Sequence, residues 1–303
     1  MKPASPQVGL VTAAFSRRMT LLLQDRSVVD ARIKGKTLQP VCGDRVVAEE
    51  IANEAEWLIT AIETRDNELT RPDNRGRKEV LAANLSCVVV MAAAEPDADW
   101  FVVDRYVAAA ENMGASAIVV FNKSDLLKDD ERVSETLAEY TSAGYVVIEC
   151  SAESGANIDI LERALAEDTA IIVGQSGVGK SSVINRMARG AEQKIGALST
   201  ASREGRHTTV NSVMLDLPRG GRVIDSPGVR DYAPAIDTEE DVGSGFREIK
   251  DKSQECRFAN CRHLREPDCA VKSAVEDGDI SGRRYESYKR LMVLTRGLAE
   301  RRR

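Results

Sequence analysis

The chain has 303 residues, 43% apolar and 30% charged, with a net charge of −6, which is enough apolar material for two or three globular domains. Its longest apolar run, "CVVVMAAA" at 87–94, is far too short to span a bilayer. The acidic balance argues mildly against a nucleic-acid partner, because phosphate binding rests on Lys and Arg.

The stretch "VGLVTAAF" near the start is short, follows little positive charge and runs into Arg17 and Arg18, so no leader is expected and the reading is cytoplasmic. From residue 8 to about 66, the short β-like runs "GLVTAAF", "MTLLLQ", "SVVDARI", "DRVVAE" and "EWLITAI" are divided by turn residues such as Gly35 and Gly43-Asp44. They predict a small antiparallel, OB-like barrel, a form that often binds oligonucleotides but also occurs as a purely structural unit. Residues 67–79, polar and charged around Pro72 and Gly76, read as a linker.

From residue 80 to about 233, strand-length apolar runs alternate with helical patterns: "CVVVMA", a helix near 100–112, "SAIVVF", a helix near 129–142, "YVVIEC", a helix near 156–167, and "AIIV". This implies βαβ units and a buried parallel sheet. Polar motifs follow four of the strands: "NKSD" at 122–125, "SA" at 151–152, "GQSGVGKSS" at 174–182 and "DSPG" at 225–228. Open α/β sheets bind ligands at the carboxyl ends of their strands.

Beyond 233 the pattern is less regular until the helical end "SGRRYESYKRLMVLTRGLAERRR". From Arg283 to Arg303 this end is basic, read either as an interaction tail or as a solvated helix face. Of six cysteines, Cys42, Cys87 and Cys150 are isolated, whereas Cys256, Cys261 and Cys269 are packed together, which favours a metal cluster over a disulfide framework.

The spacing G-x-x-x-x-G-K-S is that of a phosphate loop, in which backbone N–H groups and a helix N-terminus surround phosphates. Gly174, Gln175, Ser176, Gly177, Val178, Gly179 and Ser182 belong to that cradle. Lys180 would reach the β- and γ-phosphates, and the Ser181 hydroxyl would ligate Mg²⁺. Guanine presents an N1–H beside an amino group, a pair that one carboxylate can accept, and Asp125 supplies that carboxylate. Asn122 would hold the base edge, Lys123 would lie along the ring, and the N–H of Ala152, after Ser151, would meet the guanine oxygen. Alone, Ser124 or Asp125 could instead cap the next helix.

Asp225 would stand on the metal side and Gly228 would sense the γ-phosphate, although "SPG" is also good turn chemistry. "SREGRHTTV" at 202–210 lies where a switch loop belongs. Thr208 or Thr209 could ligate Mg²⁺ there, and Thr209 is favoured. After "DSPG" comes Val229, which can neither donate nor accept a hydrogen bond, so another group must orient the attacking water. His207 is the leading candidate, with a surface histidine as the alternative, and slow hydrolysis accelerated by a partner is the expected consequence. "CRFANCRHLREPDC" gives C-x4-C-x-H-x5-C, a soft donor set suited to one structural Zn²⁺.

In the order "NKSD", "SAESG", "GQSGVGKSS", "GRHTT", "DSPG", with a barrel before and the cysteine cluster after, the chain resembles the circularly permuted, small ribosomal subunit-dependent GTPase A family. The resemblance covers essentially the whole chain. It implies an OB-like barrel (1–66) contacting ribosomal RNA, a permuted GTPase domain (80–233) and a mainly helical zinc domain (234–303) whose ligands are Cys256, Cys261, His263 and Cys269. It further implies GTP/GDP and Mg²⁺ as ligands and the small ribosomal subunit as the partner that stimulates hydrolysis during late maturation. From the sequence itself no membrane partner is expected, and nothing suggests an obligate dimer, so the expectation is a monomer. The alternatives are a GTP-dependent RNA- or ribosome-binding switch with incidental hydrolysis, and a permuted GTPase of large-subunit assembly.

Overall fold

The computed structural model describes residues 5–35, 37–72, 78–127, 130–188, 211–226, 236 and 238–301. Five strands, β1 (Gln7–Phe15), β2 (Arg18–Leu23), β3 (Val28–Ile33), β4 (Arg45–Glu50) and β5 (Trp57–Ile62), run in the order β1-β2-β3-β5-β4, and β4 pairs back onto β1. This is a closed barrel with OB-like connectivity. The β3–β5 pair is parallel, a departure from the all-antiparallel expectation that follows from inserting β5 between β3 and β4. Alternate residues of these strands, including Val11, Leu21, Ala31, Val46 and Ile59, fill the barrel.

The register of β1 with β2 shifts between Val11 and Ala13. A bulge of this kind bends a strand and lets its two halves serve different partners. Residues Gln7–Leu10 close the barrel against β4, while Ala13–Phe15 pair antiparallel with β12 (Asn211–Asp216). The barrel and the central sheet therefore share one strand.

Residues 67–79, expected to be a linker, instead contribute to a hairpin of β6 (Glu68–Pro72) and β7 (Lys78–Ala83). Its many charges concealed the pairing: Arg71 bonds Glu79 at 2.8 Å and Lys78 bonds Glu68 at 3.2 Å, while Leu69 and Leu81 turn inward to the sheet's core. At the joint with the barrel, the fully buried Asp44 accepts two bonds from Arg65, at 2.8 and 2.9 Å. A Cβ on Gly43 would lie 2.0 Å from the Ala83 carbonyl oxygen, so only glycine allows this approach.

The central sheet has the order β10-β9-β8-β11-β13-β12, from β8 (Cys87–Ala93), β9 (Ser116–Asn122), β10 (Val146–Glu149), β11 (Thr169–Gly174) and β13 (Arg222–Asp225) with β12. The first five are parallel and β12 is antiparallel to β13. Every residue of β8 is buried, with Val88, Val90 and Ala92 facing one layer of helices and Val89, Met91 and Ala93 the other. On the first side lie α1 (Trp100–Asn112) and α2 (Glu131–Ser142), and on the second α3 (Ile158–Ala164) and α4 (Lys180–Ala188).

Four further helices, α5 (Glu239–Ser244), α6 (Arg247–Ser253), α7 (Ala270–Glu276) and α8 (Gly282–Arg301), build the C-terminal unit. Its core takes in Ala108 of α1. Asp104 of α1, 1% exposed, bonds Arg283 and Arg284 of α8 at 2.8 Å each; Arg283 also meets Glu139 of α2 at 2.6 Å, and Arg284 meets Glu248 of α6 at 2.5 Å. The basic tail is thus partly consumed inside the molecule, because its acidic partners lie far away in sequence. Arg296 pairs with Glu239 at 2.7 Å, and the Arg290 guanidinium lies 3.9 Å from the centre of the Phe101 ring.

Candidate nucleotide site and metal centre

β11 ends at Gly174 and α4 begins at Lys180, with residues 175–179 turning between them. Three glycines with positive φ, Gly174, Gly177 and Gly179, make the turn possible. Gly174 has φ +139° and passes so close to β8 that a Cβ would lie 2.2 Å from the Met91 oxygen; Gly179 has φ +92°, and its Cβ would meet Asn122 Nδ2 at 2.4 Å. Val178 is fully buried and anchors the loop to the sheet. Lys180 Nζ donates to the carbonyls of Gly174 at 2.7 Å and Gln175 at 2.5 Å, so the ammonium is curled over the loop. Ser176 is exposed and Ser181 half-buried at the first turn of α4.

Asn122, 1% exposed at the end of β9, ties three motifs together. Its Nδ2 donates to the Val178 carbonyl at 2.8 Å, and its Oδ1 accepts the Ala152 N–H at 3.1 Å. Lys123 adopts a left-handed backbone (φ +60°) and sends Nζ to the Glu95 carbonyl at 2.6 Å. Ser124 and Asp125 lie in a 3₁₀ turn held by Ser124 N donating to the Cys150 carbonyl at 3.1 Å. Ser151 is fully buried, its hydroxyl accepting the Ser154 N–H at 3.1 Å.

These elements frame a cleft of about 480 Å³ lined in part by Asn122, Lys123, Asp125, Ala152, Gly179 and Ser182. Asp125 is exposed at its edge. Cleft residues that the motifs did not single out are Leu126, Glu153, Asn185 and Arg186. Ser182, Asn185 and Arg186 follow the i, i+3, i+4 spacing of one helix face, so the helical period after the phosphate loop was the available signal. A second unforeseen feature is the loop after β8: Gln175 Oε1 accepts the Asp99 N–H at 2.8 Å, fastening the phosphate loop to the start of α1.

Asp225 ends β13, which runs parallel beside β11, so it stands at the same edge of the sheet as the phosphate loop. The buried Ser226 accepts a bond from the Ser212 hydroxyl at 2.9 Å. His207, Thr208, Thr209, Gly228 and Val229 lie outside the described residues.

The cysteine cluster gathers at the foot of the C-terminal unit. Cys256, Cys261, His263 and Cys269 bring their donor atoms within 4.8 Å of one another. Cys256 and Cys269 sulfurs are 3.9 Å apart, and each lies 3.5 Å from His263 Nδ1. A tetrahedral zinc ion with ordinary bond lengths calls for S–S and S–N separations of about 3.8 and about 3.6 Å, so the donor set fits. Four protein donors leave no open position, as in a structural site. Burial lowers the His263 pKa, keeping the imidazole neutral as a ligand must be, and pushes the Cys261 thiol up to about 12, a penalty that a cation would reverse. Tyr288 OH donates to the Arg262 carbonyl at 2.8 Å and Tyr285 OH to the His263 carbonyl at 2.5 Å, fixing the ligand loop on α8. The isolated Cys42, Cys87 and Cys150 are fully buried, with thiols pushed up to about 12 by burial, and are inert packing groups.

Comparison with known proteins gives this geometry a family. The RsgA GTPase family model matches residues 62–234. The chain belongs to the RsgA GTPase family. Relatives named small ribosomal subunit biogenesis GTPase RsgA include that of Saccharophagus degradans, 38% identical over 95% of this chain and 87% of the relative, and that of Chromohalobacter salexigens, 38% identical over 94% and 85%. Among solved structures, YjeQ from Thermotoga maritima is 26% identical with a TM-score of 0.74, covering 96% of this chain and 99% of that one. YloQ, described as a circularly permuted GTPase, is 26% identical with a TM-score of 0.73, covering 96% of each. The family's permuted order is visible in the sheet: the phosphate-loop strand β11 sits centrally, between β8 and β13, although β8, β9 and β10 of the same sheet precede it in the chain.

Proposed function

We propose that this chain hydrolyses GTP and acts in late maturation of the small ribosomal subunit in the cytoplasm. The observation that carries the proposal is that Asn122 bonds both the phosphate-loop segment at Val178 and the segment at Ala152, in a chain of the RsgA GTPase family. Gly174 to Ser182 would hold the phosphates, Lys180 neutralising them and Ser181 ligating Mg²⁺ with Thr209. Asp125 would select guanine through N1–H and the amino group, while Lys123 covers the ring. Asp225 and Gly228 would register the metal and the γ-phosphate, and His207 would orient the water. One structural zinc on Cys256, Cys261, His263 and Cys269 would hold the C-terminal unit together. The barrel, residues 1–66, would meet ribosomal RNA.

The test is GTP turnover with and without purified small subunits, together with co-sedimentation in the presence of a non-hydrolysable GTP analogue. Stimulated turnover and co-sedimentation are expected. A chain that binds GTP but shows neither would defeat the ribosomal part of the reading and leave the nucleotide part standing.

A further inference from the structure

Helix α4 carries Ser182, Asn185 and Arg186 from the phosphate loop into the base cleft. The Arg186 guanidinium packs over Gly155: a Cβ there would stand 2.4 Å from Nη2 and 3.2 Å from both Cζ and Nε. Nη2 also donates to the Ser154 carbonyl at 3.4 Å. Gly155 has φ +87°, so the backbone that accepts the guanidinium is one that other residues rarely adopt.

The loop beneath Arg186 is tightly turned. Gly155 N donates to the Ser151 carbonyl at 2.8 Å and Ser151 N to the Ala156 carbonyl at 3.0 Å, leaving Ala152 N–H directed at Asn122 Oδ1 at the cleft. Where that N–H stands relative to the phosphate loop depends on what joins the loop to α4. Asn122 ties the N–H to Val178 of the phosphate loop, and Arg186 adds a second join from the far side of loop 151–155 to α4; its planar, permanently charged fork holds a fixed geometry better than a flexible ammonium would.

We propose that Arg186 is a positioning residue for base recognition: it braces loop 151–155 against the helix of the phosphate loop and so sets the meeting point of Ala152 N–H with the oxygen on carbon 6 of the guanine ring. This rests on the nucleotide reading above. Asp125 reads N1–H and the 2-amino group, the neighbours of that oxygen on the same edge of the base, from the 3₁₀ turn, and no hydrogen bond or ion pair joins it to Arg186 among the described residues. Arg186 and Asp125 thus act on different atoms of the base.

Two analogues separate the two contacts. Inosine triphosphate lacks the 2-amino group and reports on Asp125; 6-thioguanosine triphosphate keeps N1–H and the amino group but replaces the 6-oxygen with a weaker acceptor. Dissociation constants of the full chain for GTP, ATP and both analogues would be measured in wild type, Arg186→Ala and Arg186→Lys. Wild type should favour GTP over the thio analogue by about fivefold, the scale of one neutral hydrogen bond. That ratio should fall below about twofold in Arg186→Ala and take an intermediate value in Arg186→Lys, while the GTP-to-inosine ratio stays the same in all three. Ratios within one variant do not depend on its folded fraction. An unchanged thio ratio, or an equal fall in both ratios, overturns the bracing role. A wild type that binds ATP as well as GTP overturns the guanine reading itself, a distinct result.

Discussion

The ion cluster between the central sheet and the C-terminal unit offers the sharpest stability test. Arg284, 1% exposed, makes three charge-assisted bonds: Nη1 to Asp104 at 2.8 Å, and Nε and Nη2 to Glu248 at 2.5 and 3.1 Å. Its guanidinium also sits 5.0 Å from the Phe246 ring centre and 5.1 Å from that of Tyr140. Replacing it with methionine keeps much of the volume and removes the charge. Taking away one member of a buried pair costs about 3–5 kcal/mol. The lower end applies here, because Asp104 keeps Arg283 at 2.8 Å and the Tyr140 hydroxyl at 2.7 Å, and the Glu248 side chain is 12% exposed and can recover some water. Arg284→Met should therefore weaken docking of the C-terminal unit by about 3 kcal/mol, roughly 150-fold in the local opening equilibrium. Hydrogen exchange of the α1, α6 and α8 amides under native conditions would measure it. Combining Arg284→Met with Asp104→Asn should cost less than the two single losses together, by about 0.5–3 kcal/mol, since the double variant no longer leaves Asp104 charged. Loss of under about 1 kcal/mol in the single variant, or strict additivity in the double, would refute the view that this cluster fastens the two units.

Other substitutions probe the site directly. Asp125→Asn should weaken GDP binding at least about 100-fold while improving binding of xanthosine diphosphate, since two bonds to a charged acceptor are lost; equal affinities before and after would exclude Asp125 as the guanine reader. Gly179→Ala places a Cβ 2.4 Å from Asn122 Nδ2 at φ +92°, so nucleotide titration should show binding reduced about tenfold or more with the melting temperature shifted by only a few degrees. Cys269→Ser removes a buried member of the donor set, and elemental analysis should find less than one zinc per chain, with the C-terminal unit melting ahead of the barrel. Full zinc retention would mean that the four donors do not act together.

The motifs that the fold brings together were legible because each is local in sequence. A phosphate loop, a base-reading tetrapeptide and a C-x4-C-x-H-x5-C cluster each put their requirements into a few adjacent residues, and the apolar runs of β8, β9 and β11 announce a sheet buried on both faces. What escaped was long-range. Arg283 and Arg284 look like the start of a basic tail until Asp104, about 180 residues earlier, is placed against them. Glu68, Arg71, Lys78 and Glu79 resemble linker residues because their charges pair across a hairpin, and only Leu69 and Leu81 hint at its buried side. Arg186 carried no motif; its role depends on a glycine 31 positions away that leaves room for it.

The double allegiance of β1 bears on how the molecule is made. Its first half finds β4 within about 40 residues, but Ala13 pairs with Val213, 200 positions later. The last barrel strand ends at Ile62 and β12 begins at Asn211, so at a synthesis rate of about 5–20 residues per second the barrel has about 7–30 s to form before its partner strand exists. During that interval the far end of β1 is an open edge, and β8, β9 and β10 likewise wait for β11 to fill the centre of the sheet. Placing the phosphate loop late in the chain thus means that the lining of the nucleotide cleft is complete only with Arg186, long after the last barrel strand has been made.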